Sequence, residues 1–479
     1  MEQQVQQQMV KVRIAPSPTG YPHIGTIYQA LFNWAFAKRY GGRFVVRIED
    51  TDRERFVADA EQKIYEALDW FGLSEDESPR KGGQQAPYKQ SERLAIYQKY
   101  AQELLDKGFA YFAYFPKATA GVKKDYSKSA AKPALELYPS ASVQSPPQNI
   151  TEMLARGDWV LRMKVPQDTK ITIKDEIRGE ITFESKQVSE QVLLKSDGYP
   201  TYHLAAVVDD HLMGITHVVR AEEWLSSTPK HTLLYDYFGW QKPLFFHTSL
   251  LRNPDKSKLS KRHGHTDVAW YRAEGFLPLA ILNFLALMGW SHPDEKETFT
   301  LEEFIQHFEL KDLKAVGPIF DLTKLEWMNG MYIREIPLPT LVQIIKDYSE
   351  RYSGGWGHVL RYIEPEKLQK IVALAQSRMN TIKEFYPLSK HLLEKTSFFI
   401  QTDIDKKIAQ DLLTGFQTVT DWNKDSILEV FRAVLVQHSV RMPVLYTIIT
   451  GQKQGMPLPE SLEILGKEET LRRLTESIR

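Results

Sequence analysis

The sequence contains no cysteine. That excludes disulfides and thiolate zinc sites, and it fits a reducing compartment. A surplus of charge of either sign is missing too: 61 Lys and Arg balance 61 Asp and Glu, for a formal net charge of zero. A chain with a large basic surplus would advertise nucleic acid; here any RNA surface has to be a local basic patch. No apolar run reaches the length of a membrane span, and the greasiest stretch, 277–290, is broken by Asn283. No membrane association is expected. The opening MEQQVQQQM is rich in Gln and has no signal-peptide core. It reads as a frayed tail, with either Met1 or Met9 able to serve as the start. No internal repeat is visible. What remains is 479 residues, 42% apolar and 25% charged, a globular composition for roughly two to four domains.

Residues 11–16 set Val12 and Ile14 against Arg13 and predict a strand. A Pro/Gly turn covers 16–22. Residues 24–40 carry Ile27, Leu31, Trp34 and Ala35 at helical spacing and stop at Gly41-Gly42. Residues 44–48 predict a second strand. Strand, helix and strand make a βαβ unit, hence a parallel, doubly wound sheet. Ligands in such sheets lie beyond the carboxyl ends of the strands, where 13–17 and 49–52 fall. Residues 91–107 predict an amphipathic helix. Strand-like stretches at 110–115, 160–165 and 171–183 surround an Ala/Ser/Lys/Pro-rich run at 119–148, and 109–190 reads as an inserted subdomain. Residues 192–194, 218–220 and 244–247 return to strand character and are expected to complete the sheet. From about 327 the pattern is helical: 338–352, 366–377, 406–418, 426–437, 460–465 and 467–478. The expected fold is a Rossmann-type α/β part with an inserted α+β subdomain, followed by an all-α part.

Two short segments carry the chemistry. Residues 13–26 read RIAPSPTGYPHIGT and residues 258–262 read KLSKR. A helix N-terminus offers free N–H groups and a partial positive charge to phosphate. Gly25 lets a nucleotide approach the backbone, and His23 can donate to phosphate oxygens. Lys258 and Lys261 can neutralise charge on departing pyrophosphate, and Ser260 adds a hydroxyl. Asn253-Pro254-Asp255 predicts a turn before that loop. Alone, an HxG is weak and a basic loop is usually just solvated. Together, in this order around a βαβ unit, they are specific.

The pair resembles the two signatures of class I aminoacyl-tRNA synthetases. Along nearly its whole length the chain is similar to the bacterial glutamyl-tRNA synthetase family, through GGRFVVRIEDTD, QSERLAIYQKYAQELL, LLKSDGYPTYHLA, VVDDHLMGITHVVRAEEWLSSTP, LLRNPDKSKLSKR, GFLPLAILNFLALMGW and FDLTKLEWMNGMYIRE. Thr26 stands where other class I enzymes have a second His, a variant usual for the bacterial glutamyl branch.

The resemblance implies a cytoplasmic, monomeric ligase that joins L-glutamate to tRNA(Glu) using ATP and Mg2+, with tRNA(Gln) an open second substrate. It implies Arg13, Ala15, Ser17, Tyr202 and Arg220 around the substrate carboxylates and Glu49 on the ammonium. His23, Gly25, Thr26, Glu223, Trp224, Lys258, Ser260 and Lys261 would surround ATP, with His23, Gly25, Lys258 and Lys261 catalytic. Its implied domains are 10–108 and 191–250 for the two catalytic halves and 109–190 for the acceptor-end insert. The signature loop and stem-contact region is 251–326, and the anticodon module 327–479. Arg378 matches a position associated with an anticodon base. Tyr446 falls where the family has a basic residue, and could stack on a base. Some relatives hold zinc in the insert; without cysteine no structural zinc is expected.

Bland alternatives stand beside these roles. Arg47 and Arg53 could pair with Glu49 as a surface ion bridge, Tyr202 could be plain core, and Arg378 a solvated helix-end cation. Arginine's fork matches a carboxylate, and two arginines would face glutamine's amide with donors against donors. Competing whole-chain readings are a nucleotidyltransferase of the same fold and a silent tRNA-binding paralogue. The long helical region argues against the first, and intact His23, Gly25, Lys258 and Lys261 against the second. Lys261→Ala should lower kcat for adenylate formation by roughly two to three powers of ten, as for loss of one strong transition-state donor. Pyrophosphate exchange measures it; a near-normal kcat with a raised KM for glutamate would contradict the role.

Overall fold

The computed structural model describes residues 9–115, 145–259, 266–352, 356–394, 400, 402–453 and 455–478. The chain divides into two compact units. One takes it as far as Val268 together with Leu282–Asp321; the other takes Ala269–Ile281 and everything from Leu322.

The first unit opens as its sequence predicts. Strand β1 (Lys11–Ile14) and strand β2 (Arg43–Val46) pair in parallel, Lys11 against Arg43 through Ile14 against Val46. Helix α1 (Ile24–Arg39) joins them. It buries residues all round, Ile24, Tyr28, Leu31, Phe32, Trp34 and Phe36 among them, as a core helix must. Its return to β2 is tight. A Cβ on Gly42 would lie 2.2 Å from the Val10 carbonyl oxygen, so only glycine lets the chain pass. The next helices are α2 (Ala60–Phe71) and α3 (Leu94–Asp106).

The remaining strands sort differently from the expectation. Strands β3 (Ala110–Tyr114), β4 (Trp159–Met163) and β7 (Val192–Leu194) form an antiparallel sheet in the order β3-β4-β7. Thus 192–194, expected in the parallel sheet, pairs with β4. Strands β5 (Lys170–Asp175) and β6 (Gly179–Glu184) form a hairpin, and β5 meets β9 (Leu244–Thr248) in parallel at Asp175 and Phe245. Strand β8 (His217–Ala221) pairs with β9 over five residues. Alternation marks a strand but not its partner. Here the partner is chosen by buried Asp175, which accepts from the backbone N–H groups of Ile177, Arg178 and His247. The two parallel pieces meet through Thr216, whose N–H donates to the Lys11 carbonyl while its hydroxyl accepts from the Lys11 N–H at 2.9 Å. The part of the insert at 116–144 lies outside the described residues.

Helix α4 (Ile150–Arg156) belongs to the insert. Helices α5 (Tyr202–Leu212) and α6 (Thr228–Phe238) flank β8 in sequence. On α5, Asp209 and Asp210 are buried against three arginines. Arg13 and Arg47 meet Asp210, and Arg93 meets Asp209 at 2.8 Å. Tyr97 and Gln90 also donate to Asp209.

The second unit holds no strand among its described residues. Its helices include the six expected from periodicity: Leu338–Tyr352, Pro365–Gln376, Asp403–Thr418, Lys424–His438, Leu458–Leu465 and Lys467–Ile478. Thr402 and Asn423 cap two of them by accepting backbone N–H bonds in the first turn. Ile408, Leu412, Phe416, Phe431, Leu445 and Leu474 fill one core between them. Among the described residues no helix is long and apolar enough to cross a membrane.

Asp209→Ala should destabilise the first unit by about 3–5 kcal/mol, because it strands buried cations without a counter-charge. Tyr97→Phe removes one neutral donor and should cost only about 1 kcal/mol. Thermal unfolding of both variants checks the order; equal shifts would mean the network carries no special weight.

Candidate active site

A cavity of about 460 Å³ opens where β1, β2 and β8 end and α1 begins. Its wall includes Arg13, Ala15, His23, Gly25, Thr26, Glu49, Tyr202, Arg220, Glu223, Trp224 and Lys258. Eleven of the residues singled out from sequence therefore share one wall, although they come from positions as far apart as 13 and 258.

His23 is the N-cap of α1. Its Nδ1 accepts from the Gly25 N–H at 2.9 Å, which leaves the ring proton on Nε2. The imidazole is thus a local acceptor on one side and a donor on the other. The segment around it is tied down: Ile24 N–H donates to the Thr266 carbonyl, and His23 bridges Asp267 in antiparallel fashion. The basic loop is anchored at its start as well. Arg252 pairs with Lys258, Leu259 N–H donates to Leu251, and Asn253 turns the chain through bonds to Ser257. Lys258 itself is bonded to Glu223. Ser260 and Lys261 lie outside the described residues.

Arg13 grips Asp210 with a two-pronged contact, Nε to Oδ1 at 3.1 Å and Nη2 to Oδ2 at 3.2 Å. Burial pushes the Asp210 carboxyl up, but Arg13 and Arg47 more than offset it and hold it below the usual range. Glu49 takes Arg47 on Oε1 at 3.0 Å. Burial outweighs that pairing and raises its carboxyl. The Arg47–Glu49 pair expected at the surface is therefore an interior one, for Arg47 is fully buried. The reason is α5, whose two aspartates draw the guanidinium inward. Arg53 instead lies over the Tyr199 ring.

Arg220 is held at the floor by neutral groups: His247 Nε2 at 3.1 Å, Tyr202 Oη at 3.0 Å, His231 Nδ1 at 3.1 Å and Thr228 Oγ1 at 2.9 Å. Tyr202 is half-buried rather than core and stacks obliquely on Trp224, ring centres 4.3 Å apart. Burial raises its phenol. Ser17 lies beside this wall, in an adjoining hollow with Pro16, His23 and Thr26, and its hydroxyl donates to the Glu49 carbonyl at 2.7 Å. That bond ties the segment after β1 to the segment after β2.

Several wall or supporting residues were not read from sequence: Tyr28, Gln29, Ser249, Asp210, His231 and His247. The adjacent aspartates of VVDDH, acidic in an otherwise apolar helix, were the available signal. The histidines had none, since only the folded chain brings them to Arg220.

In the second unit Arg378 borders a cavity of about 530 Å³ with Asn380, Glu384, Gln452 and Gly455. Its guanidinium has no hydrogen-bond partner among the described residues. Tyr446 does not fit the expectation of base stacking. It is 7% exposed and packs in the helical core, where burial pushes its phenol up to about 12. A ring closed in by side chains has no face for a base.

The family model for class I tRNA synthetases (E and Q), catalytic domain, matches residues 9–327, and the anticodon binding domain model matches 340–478. A glutamate–tRNA ligase of Thermus thermophilus is 45% identical over 98% of this chain and 100% of its own length. One from a Psychrobacter species is 42% identical over 100% of this chain and 94% of its own. Among solved structures, a glutamate tRNA ligase from Elizabethkingia meningosepticum in complex with its amino acid superposes with a TM-score of 0.80 at 34% identity, covering 98% of this chain and 99% of that one.

Proposed function

The chain belongs to the class I tRNA synthetases of the glutamate and glutamine type, and from that membership we infer that it is a glutamate–tRNA ligase. It activates L-glutamate with ATP and transfers it to tRNA(Glu), acting as a cytoplasmic monomer. The observation that carries the substrate assignment is the buried Arg220, a cation on the cavity wall that no carboxylate of the described residues neutralises.

In this reading the substrate's side-chain carboxylate meets Arg220 and Tyr202, and its ammonium meets Glu49, whose Oε2 accepts from no protein donor among the described residues. Arg13 sits beside the reacting carboxylate with Ala15 and supplies charge already shared with Asp210. Ser17 acts through the Glu49 backbone. ATP lies along Gly25 and Thr26 with its adenosine by Glu223 and Trp224. A carboxylate oxygen of glutamate attacks the α-phosphorus; the bond from that phosphorus to the bridging oxygen breaks, and pyrophosphate leaves. His23 donates from Nε2 to the α-phosphate oxygens as they gain charge. Lys258, released from Glu223, joins Ser260 and Lys261 on the departing pyrophosphate. The mixed anhydride is then attacked by a ribose hydroxyl of the terminal adenosine, and AMP departs.

The described residues contain no group of three His, Cys, Asp or Glu suited to a metal. Mg2+, which keeps most of its water and favours phosphate oxygens, would be carried on the triphosphate, where it supplies charge neutralisation. The insert at 109–190 would take the acceptor end, and 327–479 the anticodon. Whether tRNA(Gln) is also charged turns on the cavity at Arg378, whose guanidinium, unpaired among the described residues, suits a base edge or a phosphate.

Arg220→Gln should raise KM for glutamate by about 2–4 kcal/mol in binding terms and leave KM for ATP nearly unchanged. Aminoacylation kinetics test it; equal losses for both substrates would make Arg220 a structural residue. Arg378→Ala should cost about 1–3 kcal/mol against the cognate anticodon if it reads a base. Charging of tRNA(Glu) and tRNA(Gln) transcripts is the measure. An equal loss on both marks a phosphate contact instead.

A further inference from the structure

Arg220 differs from Arg13 and Lys258, the other arginine and lysine of the cavity wall among the described residues. Arg13 is neutralised by Asp210, and Lys258 by Glu223. Arg220, 6% exposed, has no ion-pair partner among the described residues, yet its guanidinium is fastened on three sides. The fastening groups come from α6 and β9, and they are arranged in two relays.

The first relay runs outward from Nε. His247 Nδ1 lies 2.6 Å from Asp175 Oδ2. A carboxylate only accepts, so Nδ1 carries the proton and Nε2 is bare. A guanidinium only donates, and Arg220 Nε–H finds that bare nitrogen at 3.1 Å. Asp175 cannot turn away, because it also accepts from the backbone N–H groups of Ile177, Arg178 and His247. The second relay runs from Nη1. His231 Nδ1 accepts from Arg220 at 3.1 Å, which places its proton on Nε2, 3.2 Å from His203 Nδ1. Burial lowers the pKa of both His231 and His247, which keeps the rings neutral.

We infer that His247, oriented by Asp175, and His231, backed by His203, are positioning residues that aim Arg220 at the substrate's side-chain carboxylate. They fix the guanidinium without cancelling its charge. A carboxylate in either place would hold it equally well but would leave it satisfied. Neutral imidazoles make the incoming carboxylate its counter-ion, and glutamine's amide brings no charge to fill that part. This rests on the reading that Arg220 binds that carboxylate.

The test uses the full-length enzyme and compares His247→Leu, His247→Gln and Arg220→Gln. Aminoacylation gives KM for glutamate and for ATP, and circular dichroism confirms folding. His247→Leu should raise KM for glutamate about tenfold or more, with KM for ATP within about twofold. His247→Gln should recover most of that, since its amide oxygen can stand near the place of Nε2. The inference is overturned if His247→Leu leaves KM for glutamate unchanged, if both KM values rise together, or if Gln is no better than Leu. Should Arg220→Gln leave KM for glutamate unaltered, the carboxylate reading itself fails, and this inference with it. If His247→Leu does not fold, His231→Leu against His231→Asn makes the same comparison, as the Asn amide oxygen replaces Nδ1.

Discussion

The first unit depends on a buried exchange of charge between one helix and three other segments. Asp209 and Asp210 of α5 take Arg13 from β1, Arg47 from just beyond β2 and Arg93 from the turn before α3. Ions in an interior are expensive unless each finds a partner with good geometry. Here the partners come from elements that are distant in sequence, so the network is satisfied only when the sheet, α3 and α5 are docked together. It is also what places Glu49, since Arg47 reaches from Asp210 to the Glu49 carboxylate.

The same network sorts the cations in and behind the cavity wall into two kinds. Arg13 and Arg47 are structural in their charge, spent largely on the aspartates. Arg220 is surrounded by a phenol, a hydroxyl and two imidazoles, and its charge remains for a ligand. A preorganised, uncompensated donor costs little further reorganisation when an anion arrives, which is the general source of strength in such sites. The arginines that hold the unit together are therefore not the one whose charge faces the cavity without a carboxylate among the described residues.

Position is secured where α1 begins by backbone rather than charge. The cap of α1 is bonded to Thr266 and Asp267 just beyond the basic loop, while Leu251 and Arg252 hold the loop's beginning. His23 and Gly25 of the first signature and Lys258 of the second thus border one cavity, each tied to main chain nearby. Phosphoryl transfer asks chiefly for placed donors, not for a nucleophile on the protein, and such a frame suits it.

The sequence by itself determined the local elements and the residue types of the site. The βαβ opening, the six terminal helices and the strand-end residues Arg13, Glu49 and Arg220 were legible because hydrophobic period and turn chemistry act over a few residues. Motif order also pointed to His23, Gly25 and Lys258 together, and they share one cavity wall. Strand partners were not legible: β7 went to the insert's sheet and β5 to β9, because alternation sets a strand's faces and not its neighbour. Tyr446 was misjudged for the same reason, since burial of one ring depends on helices packed from elsewhere. Only the tertiary structure decided the protonation partners of Arg220. Asp175, His203, His231 and His247 carry no common motif, and which imidazole nitrogen accepts is set by the group that meets the other one.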